Sequence, residues 1–226
     1  MKLLIVESWR TYRDVLEERC RDHFEIVGVH ATAKAGLDHA RREPVDLLLL
    51  DLHELSGQLL HLSQQFLEAR PALRIIGIAP DTDHFTIYRV FNSPLHGYLC
   101  KRHDGILTVM EALTTVADGK TYFSEAAQAL RGEMQRDPAA FYKILSDREM
   151  ELLPDFCAGY SNEALAQHYG LRPSTVLWHR RNIMRKLNIH SATALMQFGI
   201  AHGFICPNEH RQRFQKLREA NVDLAE

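Results

Sequence analysis

The chain has 226 residues, a formal net charge of −2, and ordinary apolar and charged fractions, which suits a globular protein of two small domains. No run of about 18 or more apolar residues occurs, so no membrane helix is expected. The opening MKLLIVES has no long apolar core before a small-residue cleavage site, so no signal peptide is expected and the location is read as cytoplasmic.

From the N-terminus, short apolar runs alternate with amphipathic segments. The runs are Leu3–Val6, Phe24–Val29, Asp46–Leu50, Arg74–Ala79 and Gly97–Cys100. They have strand length and are almost continuously apolar, as strands covered on both faces must be. The segments between and after them, around 10–21, 33–43, 57–69, 83–92 and 104–118, predict helices. Five strands alternating with five helices predict an α/β doubly wound, five-stranded parallel sheet over residues 1–120, in the flavodoxin-like order 2-1-3-4-5. Such a sheet places its reactive or binding residues at the carboxyl ends of the strands. Here those are Glu7 and Ser8, Asp51, Ala79 and Lys101.

Residues 121–143 read as a linker with a helical segment, EAAQALRGEM, and Asp137-Pro138 marks a turn. The flexible point is placed near 134–140. Residues 144–206 read as a compact all-α four-helix unit. Its first helix opens with an S-x-x-E capping box, Ser146 to Glu149, flanked by Leu145 and Met150 as a hydrophobic staple. Pro154 inside that helix predicts a kink or an early narrowing. Ser161 caps a second helix with Leu165, Ala166 and Tyr169 facing inward, and Gly170 supplies the left-handed residue that ends it. Pro173 suits the first turn of a third helix, whose buried stripe is Val176, Ile183 and Leu187. Residues 207–226 are charged and poor in apolar groups, and read as a C-terminal extension holding a marginal helix that needs Phe214 and Leu217 to dock.

The third helix carries the chemistry. Residues 141–206 hold 7 basic and 5 acidic side chains, against 14 and 17 in residues 1–120. Four of the seven, Arg180, Arg181, Arg185 and Lys186, fall within seven positions. Clustering on one helix matters more to a phosphate backbone than the total charge does. A major groove admits one helix. Arg181 can bridge a guanine, Leu177 can meet a thymine methyl, and Ser174, Thr175, Arg180, Arg185 and Lys186 suit phosphates. With Trp178, these form the candidate interface to double-stranded DNA. Exposed Leu177 and Trp178 also permit an alternative, a protein-interaction regulator with weakened DNA binding.

The pieces LSDREME (Leu145–Glu151), GYSNEALA (Gly159–Ala166) and STVLWHRRNIMRKL (Ser174–Leu187) resemble the output domain of LuxR/FixJ (NarL)-type bacterial transcription regulators. The resemblance implies that the third helix enters the major groove and that the fourth, about Ser191–His202, contacts a second copy in a homodimer. Arg172 stands where that family usually has a capping serine, Leu177 where it commonly has a lysine, and Ala192 where an arginine is common.

The N-terminal half resembles the receiver domain that accompanies such output domains in two-component response regulators. That resemblance makes Asp51 the phospho-acceptor position, and Glu7, Ser8, Ala79 and Lys101 its neighbours. It also implies Mg²⁺ held by Glu7 and Asp51. The pattern is incomplete. Ser8 replaces a second carboxylate, Ala79 replaces a hydroxyl residue, and Glu54-Leu55 replaces a Met-Pro. Mg²⁺ wants hard anionic oxygens in near-octahedral order, so the site is expected to hold it weakly and no cofactor is required. Two readings of Asp51 stand: residual phosphorylation, or a fixed ion pair with Lys101. The second leaves control to a small-molecule effector or a partner, beside a sensor kinase for the first. GIAPDTD, the glycine-containing strand-to-helix junction, lacks phosphate-cradle spacing. No catalysis is expected beyond that residual step, so the chain is not read as an enzyme.

Cys20, Cys100, Cys157 and Cys206 are in no metal-ligand spacing and read as free thiols. His53 and His61 lie eight apart without an HExxH pattern, so no structural metal is expected.

Overall fold

The computed structural model describes residues 1–53, 55 and 59–205. Glu54, Cys206 and the extension 207–226, with Phe214 and Leu217, lie outside the described residues. The chain divides into two compact units, one of Met1–Thr82 and Thr86–Gly132, the other of Asp83–Phe85 and the residues from Glu133.

The first unit is a parallel sheet with helices on both faces. Its elements run β1 (Lys2–Val6), α1 (Arg10–Cys20), β2 (Glu25–His30), α2 (Ala33–Arg42), β3 (Leu47–Asp51), α3 (Leu59–Ala69), β4 (Arg74–Ala79), α4 (His84–Phe91), β5 (Gly97–Cys100), α5 (Ile106–Ala117), β6 (Tyr122–Phe123) and α6 (Glu125–Arg136). The strand order is β2-β1-β3-β4-β5-β6, and every adjacent pair is parallel. The expected order therefore stands, extended by a sixth strand. Tyr122 and Phe123 pair with Gly97 and Tyr98, so part of the stretch read as a linker completes the sheet edge. Two residues between Gly119-Lys120 and a helix are too short to show a strand period, and only pairing with β5 reveals them.

Strand polarity follows from the sequence. Side chains alternate across the sheet, so Leu3, Ile5, Leu47, Leu49, Ile76, Ile78 and Leu99 share one face with Leu16 and Cys20 of α1 and Val109, Leu113 and Val116 of α5. The intervening Leu4, Val6, Leu48, Leu50 and Ile75 are equally buried and face the opposite side. There α2 comes so close that a Cβ on Gly36 would stand 2.4 Å from Val6 Cγ2. Burial on both faces is why these strands read as apolar runs rather than as alternating patterns. At roughly 25 cal/mol per Å² of buried apolar surface, the leucine-rich β3 is a principal source of cohesion.

The second unit contains α7 (Phe141–Ile144), α8 (Asp147–Cys157), α9 (Asn162–Tyr169), α10 (Pro173–Lys186) and α11 (Ala192–Ala201). Ser146 accepts from the Glu149 amide while the Glu149 carboxylate accepts from the Ser146 amide, and Leu145 and Met150 are both buried. The capping box and its staple are thus as expected. Helix α8 continues through Pro154 to Cys157 rather than narrowing there, with Leu152, Leu153, Phe156 and Cys157 buried around it. Packing of that apolar face outweighs one lost backbone hydrogen bond. Gly170 ends α9 at φ 64°, and Pro173 opens α10. Helices α8 and α11 touch at Gly199, where a Cβ would lie 2.4 Å from Cys157 Cβ. Leu195 and Gly199 of α11, Leu165 and Ala166 of α9 and Val176 and Ile183 of α10 close the core. Leu187, expected in the buried stripe, is only partly covered.

Cys20, Cys100 and Cys157 are buried free thiols. Burial pushes the Cys157 thiol up to about 12 and the Cys20 thiol up to about 11. Among the described residues, no helix is long and apolar enough to cross a membrane.

Candidate functional sites: an exposed helix face and a buried carboxylate pair

Helix α10 has two opposite faces. Val176, Arg180, Ile183 and Leu187 follow one another at helical spacing and turn inward. Ser174, Trp178, Arg181 and Arg185 follow at the same spacing and are all exposed. Successive steps of four, three and four residues keep each set on one side of a 3.6-residue helix.

The four clustered cations therefore separate by role. Arg181 and Arg185 point to solvent, with Arg185 within 3.4 Å of the Asn182 side chain. Arg180 does not. Its guanidinium donates to the carbonyl of Tyr160 and lies 4.7 Å from the Phe156 ring centroid. Burial lowers its pKa, against the pull of Glu163. It ties α10 to the turn between α8 and α9, where it is poorly placed for a phosphate. Sequence reading missed this, although Arg180 sits four residues after Val176 and three before Ile183, in register with the buried stripe. Lys186 is committed as well. Its ammonium donates to Glu149 Oε2 at 2.6 Å, binding the end of α10 to the start of α8. Ser174 is exposed, while Thr175 and Leu177 are half-buried beside it. Trp178 is 60% exposed, and its ring meets that of its own neighbour His179 edge-on at 4.9 Å. Arg172 caps α10 without a side-chain hydrogen bond, as the missing serine leads one to expect.

At the carboxyl ends of the strands, the first unit brings together Glu7, Ser8, Asp51, Ala79 and Lys101. Backbone bonds hold the ends level. The Glu7 amide donates to His30 O at 2.9 Å, and the Lys101 amide to Ala79 O at 2.8 Å. Lys101 Nζ then donates to Glu7 Oε1 at 2.7 Å and to Asp51 Oδ1 at 2.9 Å. Both carboxylates are buried, Glu7 at 0% and Asp51 at 6% exposure.

Asp51 has no free lone-pair direction. Oδ1 accepts from Lys101 Nζ and from the His53 amide at 3.1 Å. Oδ2 accepts from the Ser8 amide at 3.2 Å and from the Ser8 hydroxyl. Four acceptances are about the capacity of a carboxylate. Burial alone would raise its pKa, but the Lys101 charge and the hydrogen bonds from Ser8 and Lys101 outweigh that and hold it below the ordinary value. Glu7 goes the other way. Burial and the neighbouring Asp51 charge raise its pKa, although Lys101 and the Trp9 amide oppose them. Its Oε2 is buried with no hydrogen-bond partner.

Two residues that sequence reading did not single out complete the enclosure. Lys101 Nζ lies 4.4 Å from the Trp9 ring centroid and 5.5 Å from that of Tyr12. Trp9 meets His53 edge-on at 5.8 Å. The Tyr12 hydroxyl is pushed up to about 12 by burial first and by Glu7 next. The available signal was position alone: Trp9 and Tyr12 directly follow the Glu7-Ser8 corner.

These residues do not fit Mg²⁺. One oxygen of each carboxylate is taken by an ammonium, Ser8 offers a neutral hydroxyl where a hard cation wants a carboxylate, and Ala79 offers only a methyl group. A divalent cation could meet the unpartnered Glu7 Oε2, but it would have to displace donors from Asp51 and would lack the carboxylate that Ser8 replaces. Among the described residues, no group of three or more His, Cys, Asp or Glu could hold a metal ion.

Fold and exposed helix together define a class: a receiver-type domain followed by a helix-turn-helix output domain. Residues 143–198 match the family model described as bacterial regulatory proteins, luxR family. The chain is 29% identical over 192 residues to the transcriptional regulatory protein MctR of Rhizobium johnstonii, covering 81% of this chain and 85% of MctR. It is 28% identical over 200 residues to the nitrate/nitrite response regulator protein homolog of Haemophilus influenzae, covering 86% and 93%. Its fold is similar to that of RcsB from Salmonella enterica serovar Typhimurium bound to the promoter rprA, with TM-score 0.58, 19% identity, and 88% and 97% of the two chains covered. The C-terminal unit thus matches the luxR family over residues 143–198, and along most of its length the chain is similar to transcription regulators of response-regulator type.

Proposed function

We propose that this regulator binds double-stranded DNA as a homodimer and that its output is not set by phosphorylation of Asp51. One α10 would enter the major groove at each half-site of a pseudo-palindrome. The exposed row Ser174, Trp178, Arg181 and Arg185 supports the DNA contact, because it places a base-reading and phosphate-contacting set on an exposed side of α10. Solved RcsB structures include dimers bound to DNA.

The control reading is carried by one observation. Both oxygens of Asp51 are saturated by donors inside a buried pocket. An attacking carboxylate must present a free lone pair to phosphorus and needs cations to offset the charge that develops there. The lone pairs of Asp51 are spent on donors, and the cation beside it, Lys101, is shared with Glu7. Control then falls to a partner protein or a small-molecule effector acting on the first unit, with the reader in the second.

Two measurements test this. Acetyl phosphate or beryllofluoride with Mg²⁺ should leave the mass, the melting temperature and the DNA affinity of the protein unchanged, and Asp51→Asn should bind DNA as the wild type does. Accumulation of an aspartyl phosphate with tighter DNA binding would overturn it. A salt-titrated gel shift on genomic fragments separates a DNA reader from a protein-interaction regulator. Selective, salt-dependent complexes support the first, and no complex at micromolar protein supports the second.

A further inference from the structure

Trp178 is the anomaly of the exposed row. A tryptophan on a solvent-facing helix surface is costly to leave in water, and this one is followed on the same face by two exposed cations, Arg181 and Arg185. Charge identifies what covers it. Two guanidiniums on the same face suit a polyanion rather than an apolar protein groove, so the indole lies where the row meets the duplex.

In a major groove the base edges are almost entirely polar. The apolar group on offer is the C5-methyl of thymine. The indole has one N–H donor and a wide apolar face, with no acceptor, so it cannot pair with the amino groups of adenine or cytosine. Spacing then sets a pattern. Residues 178 and 181 are separated by roughly 4.5 Å along the helix axis, which is between one and two steps of about 3.4 Å in the duplex.

The geometry points to Trp178 as the thymine-reading residue of this protein: its indole packs on a thymine methyl one to two base pairs from the base that Arg181 contacts. Half-sites therefore carry a thymine next to, or one removed from, a guanine. Leu177 is half-buried and so offers less surface to a base than the indole does. This rests on the DNA-binding reading above and adds the sequence class that the helix selects.

The test begins by selecting sites from a random duplex library with the full chain. The best site is then remade with uracil at the thymine, which removes the methyl and keeps O4. Wild type should bind the uracil duplex about fourfold more weakly for each half-site replaced, the worth of one buried methyl group. Trp178→Ala should bind thymine and uracil duplexes equally, and Trp178→Phe should keep part of the discrimination. Unchanged melting temperatures exclude misfolding as the cause. Wild type that selects a sequence but treats thymine and uracil alike overturns this inference while leaving DNA binding intact. So does a Trp178→Ala variant that still discriminates, which would hand the indole to a protein contact. A full chain that selects no sequence at all takes down the DNA-binding reading and this inference together.

Discussion

Asp51 and Glu7 compete for a single ammonium, and their opposite pKa shifts give the site a pH signature. Glu7 is raised above its ordinary 4.5, so the folded state retains a proton that the unfolded state releases. Its contribution to stability is therefore greatest below 4.5 and falls as pH rises through the raised value. Asp51 is held below 3.8; its contribution is present above 3.8 and is lost as pH falls through the lowered value. Urea titrations of wild type and Glu7→Gln should show the stability of wild type relative to the variant decreasing as pH rises above 4.5. A difference that stays flat counts against this account. Lys101→Met leaves two carboxylates without their cation and should cost about 3–5 kcal/mol, read from the same titrations. In the output unit, Arg181→Ala should lose about 1–3 kcal/mol of discrimination at one base pair. Equal loss on all sequences would instead assign Arg181 to the backbone.

Elements show how the same residue type takes opposite duties. Arg180 and Arg181 are neighbours in sequence, yet one faces Phe156 and the other faces water. Arg180→Ala should therefore appear first as lower stability of the C-terminal unit, while Arg185→Ala leaves stability alone and reduces the salt slope of DNA binding by about one. Lys186, which looks like a phosphate ligand by composition, closes α10 onto α8 through Glu149. Glu149 also serves the capping box. Glu149→Ala should cost more than Ser146→Ala, for which about 1 kcal/mol is expected from the cap alone. Equal losses by thermal melting would mean that the ion pair with Lys186 contributes nothing.

At the scale of the whole molecule, two units carry separable tasks, and nearly all of their organisation was legible in the sequence. Alternating apolar runs and amphipathic segments specified a parallel sheet because strands covered on both faces must be apolar throughout. Ser146, Gly170 and Pro173 marked helix ends because capping and left-handed backbone need those residue types. The short β6 was not legible, since two residues have no period and owe their conformation to β5. Nor was the closure of the Asp51 site. Sequence placed Asp51, Glu7 and Lys101 at strand ends and left a phospho-acceptor and a fixed ion pair both open, with phosphorylation the disfavoured of the two. The choice depends on whether the oxygens are free, and that is a matter of ångströms set by Ser8, His53, Trp9 and Tyr12 from separate corners of the fold. Local pattern determines which elements form, because periodicity and capping act within a few residues. Only tertiary contact decided which charges remain available, because a salt bridge or a buried donor is spent by a partner that the chain brings from far away.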